Sequence, residues 1–175
     1  MTRLKKRWGT TPLLALCVVA TLGGAAFAQR QLKSSAGGGR PEIKVELMGS
    51  VERGGASLPL ESVEHVKPGE VLDWRIVSSN DGTGAASDYK AVGHVPAGTA
   101  LVPGSASAEG GSTVTYSIDG GKTYSTQPLV EQRQADGSVK RVPAPVSMYT
   151  EVRYEWSDAL AAGGKLAASY KVRVK

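Results

Sequence analysis

The sequence predicts an all-β protein, a sandwich of seven or more strands with one extra hairpin. Three observations carry that expectation. Apolar residues recur with a period of two from residue 41 to the last residue; clusters of Gly, Pro, Asn and Asp interrupt those runs; and beyond residue 28 only Ser157 to Ala162 hints at helix. Successive side chains of a strand point to opposite faces, so a period of two marks a strand buried on one side. Many short strands separated by turn residues form the pattern of an antiparallel sandwich.

The order of elements begins with an expected export segment. Residues 1–28 run as a basic stretch ending at Arg7, an apolar run from Leu13 to Leu22, and the small-residue ending Ala26-Phe27-Ala28. These are the three parts of a secretory signal peptide, with cleavage expected before Gln29. The apolar run is too short to span a hydrocarbon core, which takes roughly 20 residues. A lipid anchor on Cys17 would need a small residue before it, and Leu16 stands there. Cleavage removes that single cysteine, so the stability of the mature chain is expected to come from packing rather than disulfides. It also changes the charge. The chain of 175 residues carries +5, but Arg3, Lys5, Lys6 and Arg7 lie in the export segment, and residues 29–175 hold 17 basic against 16 acidic side chains. The expectation is therefore neither a nucleic-acid nor an anionic-membrane partner, and with the apolar run removed no direct membrane span is expected after cleavage.

Residues 29–40, rich in Gly, Ser and charge without apolar period, read as a flexible linker, leaving 41–175 as one domain. In that domain Ile43, Val45 and Leu47 alternate with Glu42, Lys44 and Glu46. Leu72, Trp74 and Ile76 repeat the pattern, as do Tyr89 to Val95, Val114 to Ile118, Val152 to Trp156 and Leu166 to Val174. Turns are expected at Lys67-Pro68-Gly69, Asn80-Asp81-Gly82, Pro96-Ala97-Gly98, Asp119-Gly120-Gly121 and Ala162-Gly163-Gly164, where Gly permits positive φ and Pro fixes φ. Trp74 and Trp156 are the largest expected core residues. Between Ser125 and Ser147, two short runs flank Asp136-Gly137, a favoured two-residue hairpin turn. An extra hairpin is expected there, either a solvated elaboration or a docking arm.

The stretch Val66 to Ser107 resembles a bacterial envelope repeat, the domain of unknown function number eleven. The matching positions are Pro68 and Gly69, Asn80 and Gly82, and Pro96-Ala97-Gly98-Thr99, with Trp156, Leu160 and the strand Leu166 to Val174 similar at the end. The resemblance implies an immunoglobulin-like β-sandwich of secreted, surface-layer and envelope proteins, a structural or adhesive module without catalytic residues. A single copy and the added hairpin depart from the family's arrays and put a pure spacer role in doubt.

Motifs that could carry chemistry are few. Ser117 to Tyr124 matches the Asp-box pattern S-x-D-x-G-x-T-aromatic, whose Asp accepts hydrogen bonds from turn N–H groups; a structural hairpin is expected there rather than carbohydrate chemistry. Gly121-Lys122-Thr123 lacks the first glycine of a phosphate loop, because Tyr116 stands in its place. Gly82-Thr83-Gly84 has Ser87 where a dinucleotide fingerprint needs its third small residue. Asp81 and Asp88 bracket a Gly-rich turn without the alternating ligands of a calcium loop. His65 and His94 are the only histidines, too few for a three-histidine zinc or copper site within one chain; a histidine pair aided by a carboxylate, the N-terminal amine or a second subunit could hold a metal, with Met48 or Met148 as soft ligands to copper. Neither histidine has the context of a catalytic base, and no nucleophile elbow is present.

The expected function is a non-enzymatic exported module of the cell envelope, in the periplasm, the envelope or on the extracellular surface. It would be a structural or protein-interaction subunit of a cell-surface assembly, with an envelope or surface-layer protein as partner and a homo-oligomer next, and with no catalytic residues, metal site or cofactor. The alternative is a copper-binding redox protein of superoxide dismutase type on a β-sandwich.

Overall fold

The computed structural model describes residues 39–175. The expected signal peptide and residues 29–38 of the expected linker lie outside the described residues. The strands are β1 (Ile43–Arg53), β2 (Ala56–Pro59), β3 (Val71–Asn80), β4 (Lys90–His94), β5 (Thr99–Leu101), β6 (Ser107–Ala108), β7 (Ser112–Ser117), β8 (Leu129–Arg133), β9 (Val139–Pro143), β10 (Glu151–Trp156) and β11 (Lys165–Val174). The fold is all-β, and every strand pair is antiparallel. One sheet runs β2-β1-β3-β11-β5, with β6 also on β11; a second runs β4-β10-β7; β8 and β9 pair only with each other.

The period of two decides which face of each sheet is buried. Leu72, Ile76, Ala168, Tyr170 and Val172 of the first sheet meet Ala91, Val152, Tyr154 and Trp156 of the second in one core. Hydrogen bonds cross between layers at the aromatic tips. Tyr154 donates to the Ser169 carbonyl at 2.7 Å, Tyr170 to the His94 carbonyl at 2.6 Å, and Trp156 Nε1 to the Glu109 carbonyl at 2.7 Å. Each large ring thus buries its body and satisfies its polar end. Burial pushes the Tyr154 phenol up and the Tyr170 phenol up to about 12. Gly93 is required by this packing, because a Cβ there would come within 2.3 Å of the Tyr170 ring.

Several expectations need correction. Tyr154 and Tyr170, rather than the two tryptophans, are the largest fully buried side chains; Trp156 is buried but Trp74 is only half-buried. Ser157 to Ala162 forms no helix. Six residues are too few to nucleate one in isolation, and Leu160 instead exchanges backbone hydrogen bonds with Ala86 at 2.9 Å in both directions. Asn80-Asp81-Gly82 does not use a positive φ at glycine. Gly82 is there for close approach, since a Cβ would lie 2.2 Å from the Arg40 carbonyl oxygen. Asn80, the last residue of β3, is fully buried. Its Oδ1 accepts from the Glu42 and Gly82 N–H groups, and its Nδ2 donates to the Gly84 and Leu160 carbonyls. One side chain therefore ties the start of β1, the turn after β3 and the loop before β11. Arg40, expected to end the linker, is itself held by Thr83, whose Oγ1 accepts from its N–H and whose N–H donates to its carbonyl.

The extra hairpin is present, but its loop has three residues, Ala135 to Gly137, rather than two. The Gly137 N–H donates to the Gln134 carbonyl at 3.0 Å, Gly137 has φ +85°, and Gln134 N–H donates to Ser138 at 2.8 Å. This is a type I turn followed by a left-handed glycine, the usual three-residue solution.

Candidate functional site

The richest polar arrangement lies on the outer face of the second sheet. Val152, Tyr154 and Trp156 point inward, so Glu151, Arg153 and Glu155 point outward. Register then sets three rows across the sheet: His94, Glu151 and Ser117; Val92, Arg153 and Thr115; Lys90, Glu155 and Thr113. Opposite charges fall beside one another at Glu155, which lies 3.2 Å from Lys90 Nζ and also pairs with Arg153. His94 Nδ1 lies 3.1 Å from Glu151. Lys90, and after it Arg153, hold the Glu155 carboxyl below its ordinary range.

The Asp-box segment folds over this face. Asp119 Oδ1 accepts from the Lys122 and Thr123 N–H groups at 3.0 and 2.9 Å and from the Ser117 hydroxyl at 2.7 Å, while the Thr123 hydroxyl donates to Oδ2 at 2.6 Å. These bonds, those from Thr123 first, hold the Asp119 carboxyl far below the usual range. Ser117, fully buried, also accepts from the Gly121 N–H. The turn places the Tyr124 ring over the Arg153 guanidinium, 3.8 Å from ring centre to Cζ, and directs its hydroxyl to Glu151. Burial, then the hydrogen bond to Glu151, pushes the Tyr124 phenol up to about 12. The Asp-box expectation of a structural turn thus fits the geometry: its polar groups are spent on each other and on fastening the turn to β7 and β10.

The two histidines have separate settings. His65 is exposed in the loop between β2 and β3, 3.5 Å from its neighbour Glu64, whereas His94 ends β4 beside Glu151. Among the described residues no group of three or more His, Cys, Asp or Glu side chains is placed to hold a metal ion. Asp81 and Asp88 flank the turn after β3, with Asp88 at φ 53°. The Glu151, Tyr124 and Arg153 cluster was not singled out from sequence, although the signal was there: the positions between Val152, Tyr154 and Trp156 are all charged. What the pattern could not supply was Tyr124, which arrives from another segment.

Two features are left open to solvent. The β8–β9 hairpin pairs with neither layer, and Leu129 and Val139 on one of its faces are 50% and 57% exposed. The outer edge of Ile43 to Gly49 carries no strand among the described residues, because β2 reaches only Ser50 to Arg53. No described helix is long and apolar enough to cross a membrane. Fold and surface together define a sandwich-like antiparallel β protein with a projecting hairpin. Comparison of the chain with protein-family models, curated proteins and solved structures finds no match.

Proposed function

We propose that this chain is a non-enzymatic module exported to the cell envelope, a structural or protein-interaction subunit of a cell-surface assembly that works by presenting rigid contact surfaces. The observation that carries this reading is the hairpin standing off both layers. Its face combines Leu129 and Val139 with the Glu131–Arg141 pair, whose groups approach to 3.8 Å. An exposed apolar pair beside charged groups suits contact with another protein surface better than contact with water alone. The resemblance to an immunoglobulin-like envelope repeat and the expected signal peptide support the same compartment and role.

A pull-down tests it. Tagged full chain recovered from envelope extracts is expected to bring one dominant surface protein at both low and high salt. Replacing Leu129 and Val139 by Ser should abolish that recovery while the far-ultraviolet circular dichroism of the sandwich stays the same. Recovery that is unchanged in the double variant, or no partner at either salt, counts against the proposal.

A further inference from the structure

The edge of β1 that carries no strand among the described residues is complementary to itself. Asp81 N–H donates to the Glu42 carbonyl at 2.8 Å, so the backbone groups of residue 42 face β3. Backbone direction alternates along an antiparallel strand, and the N–H and C=O groups of Ile43, Val45 and Leu47 therefore point away from β3, toward the unpaired side. These residues share the parity of Arg53, which closes the two-residue Gly54-Gly55 turn onto β2. The edge reads Ile43-Lys44-Val45-Glu46-Leu47, which is apolar, basic, apolar, acidic, apolar. Reversed, it has the same pattern with the charges exchanged.

We infer that this edge pairs antiparallel with the same edge of a second copy of the chain, about a two-fold axis at Val45. That register places Lys44 opposite the partner copy's Glu46, and Glu46 opposite its Lys44. It also sets Ile43 against Leu47 and Val45 against Val45, with each outward N–H meeting a carbonyl across the axis. Neighbouring registers are penalised by charge. An axis at Lys44 sets lysine against lysine and Glu42 against Glu46, and an axis at Glu46 sets glutamate against glutamate; like charges directly opposite are unfavourable. Val45 and Leu47, each 55% exposed, would be flanked by apolar neighbours. Lys44 and Glu46, now 2.8 Å apart along one strand, would join their counterparts in a square of alternating charge. Because the same patch meets itself, the assembly closes at two copies rather than growing into a filament, and the first sheet continues through both. This inference deepens the interaction-module reading, which it rests on, by naming one partner and its surface.

A charge-swap series on the full chain, purified after expression with its export segment, tests the pairing by analytical ultracentrifugation over a wide concentration range. The unmodified chain should show a monomer–dimer equilibrium that tightens at low salt. Lys44→Glu alone and Glu46→Lys alone should each weaken it roughly tenfold, since two cross-strand contacts turn from attractive to repulsive. The double exchange Lys44→Glu with Glu46→Lys should restore it. Both side chains are solvent-facing, and circular dichroism checks that each variant stays folded. A chain monomeric at every concentration, a dimer indifferent to the single changes, or a double variant that fails to recover overturns the inference. A monomeric chain that still recovers a foreign surface protein in the pull-down loses self-pairing but keeps the module reading; one that recovers nothing loses both.

Discussion

β1 and β11 are long strands of the same sheet, with 11 and 10 residues and the same alternation of apolar and polar positions, yet they end in opposite environments. β11 has β3 on one side and β5 and β6 on the other, and its inward residues Ala168, Tyr170 and Val172 are buried. β1 pairs with β3 along its length but meets β2 only from Ser50 onward; Val51 is buried while Val45 and Leu47 are more than half exposed. An apolar side chain on the inner parity contributes to stability only where the opposite layer reaches it. Alternation states which face a residue takes, and coverage states whether that face is a core.

The contrast can be broken first at Asn80, which anchors the start of β1. Asn80→Asp exchanges a donor for a carboxylate facing the Gly84 and Leu160 carbonyls in a fully buried site. A loss of about 3–5 kcal/mol is expected, as for other unpaired buried charges; denaturant unfolding measures it, and a change below about 1 kcal/mol would mean the site is wetter than its burial indicates. Next in size is a matched pair of truncations. Tyr170→Ala in β11 should cost about 3–5 kcal/mol, whereas Leu47→Ala in β1 should stay within about 0.5 kcal/mol in the dilute chain. Equal losses would place Leu47 in the core and dissolve the comparison. Amide hydrogen exchange sharpens it further. Ile43, Val45 and Leu47 should exchange rapidly in dilute protein, while the β11 amides of residues 168 to 172 should exchange only through global unfolding.

The smallest effect concerns the far end of β1. Arg53 makes two hydrogen bonds at 2.8 Å to the Glu70 carboxylate, which also accepts from the Lys67 N–H at 2.7 Å. These contacts, Arg53 first, push the Glu70 carboxyl down to about 2 from an ordinary 4.5. A depressed carboxylate pKa contributes stability that is full above the unfolded value and disappears as pH falls through the folded one. The melting temperature of the unmodified chain should therefore exceed that of Glu70→Gln at neutral pH, and the gap should close between about pH 4.5 and pH 2. A gap that persists at pH 2 would show that packing, not charge, fastens this end. The pair is only partly buried, which keeps the effect modest.

Much of the fold was legible residue by residue. The strands around Leu72, Val152 and Leu166 follow from alternation, and the Asp119 turn follows from the hydrogen-bonding reach of its motif. The short strands β2, β5 and β6 were not legible, because two to four residues carry no measurable period. Nor was the role of Asn80 as a buried hub, since Asn before Asp-Gly reads as turn chemistry and only the approach of residues 42, 84 and 160 turns its amide inward. The Glu151 cluster divides in the same way: its charges could be placed on one face in advance, but the Tyr124 that covers them could not.

By itself the sequence determined the class of fold, the parity of each long strand and the positions where the chain reverses, because these depend on local sterics and on a repeat of two. Tertiary structure alone decided which inward positions became core, which glycines were needed for contact rather than for turning, and which strand edge stayed open. Those outcomes depend on where the second layer ends, and that boundary is set by contacts between residues far apart in the chain.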